Sequence, residues 1–336
     1  MTETLETHNK KKNFLTSPFF WSIVLFVALN FLLVSFYKPA KPEISVAAES
    51  LIFDVQDGII EEKPWFTIPG LGAVYLTNSL MAIPIAFIVI ILMAIAVQRE
   101  TRDGELTTHG VSALVECLMS LLGGMADSSV EEKDRKYVYP WFFGIFIYVA
   151  VINLTKLLPI FETIGFAVPV AEGGFLANTW GKNFIAISGN AASEGQLGYR
   201  LVSFLRGGPT ELNCTLAIAL CAVIGIQIIG VQVKGLGYFN RFINIHALKH
   251  NKQTGFVDFI VGILELVAEF AKIASFGFRL FGNMFAGMVL VMFLGFIVPW
   301  VAGSVMMLYE VFVGILQAFI FGMLTAVFAG MAVREE

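Results

Sequence analysis

The chain has 336 residues, of which 57% are apolar or aromatic and 14% are charged, and its formal net charge is −4. A soluble domain carries about 25% charged residues, so this composition argues against a soluble globular enzyme, a disordered chain and a nucleic-acid-binding protein with a basic surface. The mean hydropathy of +0.77 indicates a helical membrane protein. The three cysteines include no CxxC pair, and we expect no disulfide framework, metal site or cofactor.

Six apolar segments are long enough to cross a membrane, which requires about 20 residues each. In chain order they are 18–37, 76–97, 140–160, 215–233, 256–298 and 305–333. They predict an all-α polytopic membrane protein with about five core helices and one N-terminal hydrophobic helix. The predicted division is a hydrophobic helix or signal peptide over 1–40, an extracytoplasmic segment over 41–75, and a core over 76–336.

The first apolar segment has two interpretations. It follows Lys10–Lys12 and precedes the small residues Val46–Ala48, a pattern that resembles a signal peptide cleaved near residue 48. The length of the segment, and the Lys38–Pro42 stretch that separates it from those small residues, favour a retained helix. The orientation of the later segments is the same in both cases.

The distribution of basic residues predicts the orientation. With the N-terminus inside, the inner segments carry about twice as many Lys and Arg residues as the outer ones, as the positive-inside rule requires. The outer segments are then 38–75 and 162–212, and the inner ones are 98–139 and 234–255. Within the first inner segment, Val111–Met125 is predicted to be an interfacial helix.

The segment 256–298 is too long for one straight crossing. At 1.5 Å per residue it measures about 60 Å, roughly twice the hydrocarbon thickness, so the helix must tilt, bend or lie partly along the membrane. With the last segment it predicts a long helical hairpin over 256–333. Because successive residues are rotated by about 100°, five polar residues share one stripe of this helix: Glu265, Glu269, Lys272, Arg279 and Asn283.

This polar stripe must face protein or water, because a charge at the bilayer centre costs about 3 kcal/mol. In a structural interpretation, Glu269 pairs with Lys272 and a neighbouring helix satisfies Arg279. In a functional interpretation, the stripe carries ions. Arg279 stays protonated and cannot relay a proton, whereas Glu265 and Glu269 can titrate. They lie about 15–21 Å from Arg279 on its inner side, which predicts an inner ion path that ends at this fixed cation.

The last apolar segment adds polar groups to the same region. Glu310 and Gln317 are seven residues apart and share a helix face. Counted from the predicted turn at Pro299–Trp300, Gln317 lies near the depth of Arg279 and Glu310 lies nearer the outer surface, with Tyr309 as a further candidate for an outer path. A ridge of small residues suited to close helix packing recurs every four positions: Gly314, Ala318, Gly322 and Ala326.

Several motifs resemble those of subunit a of the rotary F-type ATP synthases. The most specific are SFGFRLFGNMFAG at Ser275–Gly287 and LQAFIFGMLT at Leu316–Thr325. The chain also contains NLTKLLP at Asn153–Pro159, PTELNCTLAIAL at Pro209–Leu220 and KGLGYF at Lys234–Phe239, which resemble further family elements. Their order and spacing match the family from near residue 76 to the C-terminus.

The resemblance implies ion translocation, with protons as the expected ion, through two half-channels that couple ion flow to rotation of a ring of c subunits and to ATP synthesis. Arg279 would face the rotor carboxylate, with Asn283 and Gln317 as its polar neighbours. Glu265 matches an acid of the inner half-channel, and Glu310 matches a position in the outer half-channel.

The resemblance also implies the surroundings of the chain. The expected partners are the c ring, the peripheral-stalk b subunits, the other ATP synthase subunits and membrane lipid, with no nucleic acid. The expected location is the bacterial plasma (inner) membrane, with the C-terminus in the cytoplasm. The sequence contains no GxxxxGK[ST] motif, so nucleotide chemistry would belong to partner subunits and the chain would not be an enzyme on its own.

Three residues depart from the family pattern: Met288, Lys156 and Ile273, the last of which replaces a frequent proline after Lys272. Met288 follows Gly287 at a position where relatives often carry an acid, so the outer path would depend on Glu310 and water. Lys156 lies within NLTKLLP where an acid or a neutral residue is common, and we expect it to snorkel or to pair with Glu162.

Two other functions fit an apolar chain with intramembrane charges. A secondary ion-coupled transporter would use such carboxylates, but it usually contains internal repeats and interrupted helices, and the sequence has neither signal. A membrane scaffold would tolerate loss of the Arg279 charge, whereas an ion-conducting subunit would not.

Overall fold

A computed structural model describes most of the chain. The described residues are Leu25 and residues 47–56, 59–70, 72–102, 110–127, 129–158, 161–170, 174–180, 184–193, 198–242, 254–297 and 302–334. The predicted N-terminal helix over 18–37 lies outside the described residues except for Leu25. The choice between a retained helix and a signal peptide therefore stays a prediction.

Five described helices are long and apolar enough to cross a membrane. These are α1 (Ala82–Arg102), α3 (Arg135–Thr155), α4 (Leu212–Lys234), α5 (Thr254–Ile297) and α6 (Ala302–Val333), with the shorter α2 (Gly110–Ala126) between the first two. This confirms the predicted polytopic helical core. Helix α4 ends at Lys234, and the next residue, Gly235, has a positive φ of 67°, a conformation that glycine adopts without strain. A 3₁₀ helix over Gly235–Arg241 follows.

The two predicted outer segments contain short antiparallel strands. Strands β1 (Phe53–Gln56) and β2 (Ile59–Glu62) form one hairpin, and β3 (Phe66–Ile68) and β4 (Gly72–Val74) form another. A four-stranded sheet has the order β5-β8-β6-β7 and consists of β5 (Gly165–Val170), β6 (Phe175–Trp180), β7 (Phe184–Ala191) and β8 (Gly198–Ser203). Such short strands give little alternating hydrophobicity, which is why the sequence pattern alone indicates only connecting segments here.

The two outer segments lie against each other at one end of the helix bundle, which we call the sheet end. The Asn78 amide donates a 3.3 Å hydrogen bond to the carbonyl oxygen of Ser203. Arg200 forms a 2.8 Å ion pair with Glu49. These contacts agree with the prediction that both segments lie on the same side of the membrane.

The predicted inner segments lie at the opposite end of the bundle. Gly330, close to the end of α6, packs against the backbone of Ser129 in the turn between α2 and α3. Gly262, in the first third of α5, packs against the carbonyl group of Phe242 directly after the 3₁₀ helix. The basic residues predict that successive connecting segments lie alternately on the two sides of the membrane, and the fold is consistent with this orientation.

The core of the bundle is formed mainly by α3, α4 and α6, whereas α1 exposes most of its side chains. The small-residue ridge of α6 packs against α3. A Cβ atom on Gly322 would lie 3.1 Å from the Phe142 ring and 3.2 Å from Phe146, and one on Gly314 would lie 3.3 Å from Asn153. The close packing expected of this ridge is thus present, and its partner is α3.

Helix α5 is one continuous helix of 44 residues. At 1.5 Å per residue it is about 66 Å long, which is far more than a bilayer requires. Its middle contacts α4 where Gly277 meets Leu216. It contacts α6 where the rings of Phe276 and Phe321 lie 4.8 Å apart. The helix therefore packs against both α4 and α6 near its middle, and its polar stripe occupies residues 265–283 of the helix.

We expect Gly322→Leu to reduce the amount of correctly assembled protein, because the added side chain collides with Phe142 and Phe146. Overpacking a close contact costs about 1–3 kcal/mol. The matched control is Gly144→Leu on the facing helix, where a new Cβ meets nothing within 4 Å. The measurement is the yield and thermal unfolding of the purified protein; equal behaviour of the two variants would contradict the packing argument.

Candidate functional site: an intramembrane arginine between two polar clusters

Arg279 lies in the middle third of α5, and its side chain is half-buried. Its guanidinium donates a 3.4 Å hydrogen bond to the Ser275 hydroxyl one turn earlier. None of the carboxylates that the structure describes forms an ion pair with it. The structural interpretation, in which a neighbouring helix supplies the counter-charge, is therefore not supported by the described part of the chain.

The helix face that carries Arg279 is exposed and apolar toward the sheet end. At about 100° per residue, Leu290 and Phe293 fall within about 40° of Arg279 on the helix wheel, and they are 39% and 52% exposed. The exposed positions Gly282 and Ala286 between them are small. A partner that is itself apolar can thus approach this face closely and meet a single positive charge.

One turn after Arg279, a polar pair joins α5 to α6. The Asn283 amide donates a 2.6 Å hydrogen bond to Oε1 of Gln317. Gln317 is 2% exposed, so its side chain is held in the interior while Asn283 stays at the exposed face. This places Gln317 near the depth of Arg279, as counting residues from the predicted turn indicated.

Toward the sheet end, Glu310 of α6 forms a buried ion pair with Lys156, which directly follows α3. The Lys156 ammonium lies 3.1 Å from Oε2 of Glu310 and donates a 3.3 Å hydrogen bond to the Met284 carbonyl oxygen of α5. The side chains are 6% and 7% exposed. The sequence predicts that Lys156 snorkels or pairs with Glu162; its ion pair is instead with Glu310, because α6 brings that carboxylate to the end of α3.

Two cavities lie toward the sheet end, and one of them borders this ion pair. The first has a volume of about 170 Å³ and is lined by Glu310 and Tyr309 of α6, by Asn283 and Gly287 of α5, and by Lys156. Its walls therefore connect the predicted outer-path residues with the polar neighbour of Arg279.

The second cavity, of about 110 Å³, lies among the sheet-end residues and is lined in part by Glu162, Arg206 and Met288. Burial raises the pKa of Glu162, while Arg206 and then Lys156 oppose that shift. Glu162 also interacts electrostatically with Glu310. Glu162 of the second cavity therefore lies within electrostatic range of Lys156 and Glu310, which line the first, whereas Met288 supplies no charge.

At the opposite end, the two acids of the stripe have basic partners. Glu265 forms an ion pair with Arg241 of the 3₁₀ helix. Glu269 forms a 2.7 Å ion pair with Lys272, which confirms the pairing expected from their spacing. The Lys272 ammonium lies 4.8 Å from the centre of the Phe328 ring on α6. This cluster is partly buried and reaches from the 3₁₀ helix to α6.

The sequence alone assigns no role to Arg241 or to the Lys156–Glu310 pair. Arg241 lies in a short helix far from Glu265 in the chain, so no helical spacing relates the two residues. Lys156 stands out in the sequence only as a departure from the family pattern. An intramembrane lysine is itself a signal, because a buried lysine requires a counter-charge, but its partner is 154 positions later in the chain.

The fold and the site define a class: a multi-pass membrane protein with charged groups buried along one long helix. The family model described as ATP synthase A chain matches residues 79–330. The chain is 31% identical over 237 residues to ATP synthase subunit a 1 of Photobacterium profundum, an alignment that covers 68% of this chain and 78% of the relative.

Further relatives carry a similar name. The chain is 28% identical to ATP synthase subunit a of Aliivibrio fischeri, with 68% of this chain and 76% of the relative covered. It is 28% identical to ATP synthase subunit a of a Shewanella species, in an alignment that covers 70% of this chain and 77% of the relative. The chain therefore belongs to the ATP synthase A chain family. It is a non-catalytic membrane subunit of ATP synthase, and it takes part in ion translocation in the membrane sector together with other subunits.

We expect Gly287→Ala to impair ion transport, because a Cβ atom at this position collides with the Glu310 carboxylate. Displacing a buried carboxylate from its ion pair should lower the rate by about tenfold or more. The measurement is ATP-driven ion uptake by vesicles that contain the whole ATP synthase. Gly295→Ala on the same helix is the control, since a new Cβ there has nothing within 4 Å. A Gly287→Ala enzyme as active as the control would refute the expectation.

Proposed function

We propose that this subunit carries protons through two half-channels that end on either side of Arg279, and that Arg279 faces the carboxylate of a rotor ring of c subunits. One observation supports the proposal above the others. Arg279 is a permanent cation within a membrane helix, it has no carboxylate partner in the described part of the chain, and its helix face is exposed and apolar. A partner with an apolar surface that carries one carboxylate would complement this face of α5, because the carboxylate could pair with Arg279.

The chemistry follows from the permanence of the arginine charge. Arginine stays protonated at any physiological pH, so it stabilises the ionised form of a carboxylate that approaches it. Each pKa unit by which the carboxylate is lowered corresponds to about 1.4 kcal/mol. A protonated rotor carboxylate that reaches Arg279 therefore releases its proton. The same charge opposes the direct passage of a cation from one half-channel to the other.

The outer half-channel would lie at the sheet end. The cavity of about 170 Å³ is large enough for water and is bounded by the Glu310 carboxylate, Tyr309 and Asn283. Asn283 in turn holds Gln317 by a 2.6 Å hydrogen bond. A proton that enters there would be one helix turn from Arg279, where it could neutralise a rotor carboxylate.

The inner half-channel would lie at the opposite end and begin at Glu265 and Glu269. Both acids are on the stripe that leads along α5 to Arg279, and both have basic partners at hydrogen-bonding distance. A carboxylate in such a pair can accept a proton and return it when the pair re-forms. These two acids are thus available to collect protons released near Arg279.

The proposal also specifies partners and orientation. The rotor ring would cover the apolar face around Arg279, where small residues at 282 and 286 permit close approach. The peripheral-stalk b subunits would join the complex as the family resemblance implies. The excess of Lys and Arg lies on the segments opposite the sheet end, which supports a cytoplasmic location for those segments and for the C-terminus of α6 in a bacterial plasma membrane.

A secondary transporter is less well supported. Such proteins bind ions where helices are broken near the bilayer midplane. Helix α5 instead runs without interruption from Thr254 to Ile297, and Arg279 lies within it. The intramembrane charges are therefore presented by side chains on a continuous helix.

We expect Arg279→Ala to abolish coupled ATP synthesis while the complex still assembles, because the rotor carboxylate would no longer be driven to release its proton. Arg279→Lys keeps a charge but loses the planar guanidinium, and we expect it to retain little activity. The measurements are ATP synthesis driven by an imposed proton gradient and the subunit composition of the purified complex. Wild-type synthesis by an assembled Arg279→Ala complex would refute the proposed function.

We expect Glu269→Gln to slow ATP synthesis by about tenfold, because it removes a titratable group from the inner path and leaves Lys272 without its buried counter-charge. The matched control is Glu131→Gln, since Glu131 also pairs with a nearby lysine, Lys133, but both side chains are more than half exposed. The same gradient-driven assay applies. If the two variants were equally active, the assignment of Glu269 to the inner path would be wrong.

A further inference from the structure

We propose that Lys156 is a positioning residue of the outer path, whose ammonium group fixes the Glu310 carboxylate and connects it with Glu162 at the sheet end. This inference rests on the proposed function, and it concerns a residue to which the family resemblance assigns no role.

The first argument is the cost of the ion pair. The Lys156 and Glu310 side chains are 6% and 7% exposed. Removing two charges from water costs several kcal/mol per ion, and an apolar pair of similar size would usually pack at least as well. An apolar pair would therefore suffice if the only role were to hold α3 against α6. Because an ion pair is present instead, we infer that the charge of Lys156, and not only its packing, is needed at this position.

The second argument is that specific contacts fix the orientation of the Lys156–Glu310 pair. The Lys156 ammonium bonds to Oε2 of Glu310 at 3.1 Å and to the Met284 carbonyl oxygen at 3.3 Å. Oε1 of Glu310 is buried and has no hydrogen-bond partner among the described residues. It lies beside Gly287, where only the absence of a side chain leaves room for it. One carboxylate oxygen is thus held, and the other is left for an exchangeable proton.

The third argument is the location of Lys156 between two acids. It lines the cavity that contains Glu310 and Tyr309, and it interacts electrostatically with both Glu310 and Glu162. Glu162 lines the neighbouring cavity at the sheet end, where it lies near Arg206. Lys156 is therefore a cation close to two acids, one of which lines each cavity.

These contacts define how Lys156 acts. A proton from water entering the cavity binds to Oε1 of Glu310, and the ammonium still donates its hydrogen bond to the Met284 carbonyl oxygen. When Glu310 passes that proton on toward the rotor carboxylate, Lys156 again balances its charge. Lys156 thus orients Glu310 and is not itself the group that carries the proton.

The test uses the whole ATP synthase reconstituted into liposomes, with Lys156→Met and Lys156→Arg compared at equal amounts of assembled complex. Methionine keeps the length and apolar packing but removes the charge, whereas arginine keeps the charge. We expect Lys156→Met to lower ATP-driven proton uptake by about tenfold or more and Lys156→Arg to restore most of it. Lys133→Met is the matched control, since Lys133 forms an exposed ion pair and should behave as wild type.

Wild-type proton uptake by Lys156→Met would overturn the proposal, and so would an equal loss in Lys156→Met and Lys156→Arg. If Lys156→Met fails to assemble, Lys156→Gln takes its place, because glutamine can still donate a hydrogen bond toward the Met284 carbonyl oxygen but carries no charge. We expect Lys156→Gln to lower proton uptake by about tenfold or more and Lys156→Arg to restore most of it. Wild-type uptake by Lys156→Gln, or an equal loss in Lys156→Gln and Lys156→Arg, would overturn the proposal.

Measurements on the same reconstituted ATP synthase distinguish failure of this inference from failure of the proposed function. An active Arg279→Ala complex would refute the proposed function itself. An inactive Arg279→Ala complex together with a fully active Lys156→Met complex would leave the proposed function standing and overturn only the role of Lys156.

Discussion

The structure depends on one constraint. Arg279 carries a permanent positive charge, and that charge lies within an apolar membrane layer. A charged side chain in the hydrocarbon region is expensive and must face protein or water. Toward the sheet end, the face of α5 that carries Arg279 is exposed and mainly apolar, with small residues beside the arginine. No carboxylate in the described part of the chain pairs with this charge, and this is the observation behind the proposal that a partner supplies the counter-charge.

The remainder of the membrane core serves to hold this arginine between two separate polar regions. Toward the sheet end, the ion pair of Lys156 and Glu310 borders a cavity that reaches Asn283. Toward the opposite end, Glu265 and Glu269 form ion pairs of their own. Every one of these acids has a base nearby, because a lone buried carboxylate would be too costly. Each pair is electrically neutral as it stands, so these acids are held within the bundle without a net charge.

Close packing makes this arrangement rigid. The rings of Phe276 and Phe321 join α5 to α6, and Gly322 lets α6 approach α3. The contact of Gly287 with Glu310 shows the same principle within the site, since a missing side chain on one helix makes room for a charged one on the next. Small residues thus set the distances on which the polar contacts depend.

The sequence by itself determined the membrane class, the five core helices and the stripe on α5, because apolar length and helical periodicity are local properties. Its motifs also indicated the family. Only the tertiary structure decided that Lys156 pairs with Glu310, that Arg241 reaches Glu265, and that the outer segments fold into sheets. Those contacts join residues distant in the chain, and no spacing along a single helix encodes which side chains meet when helices pack.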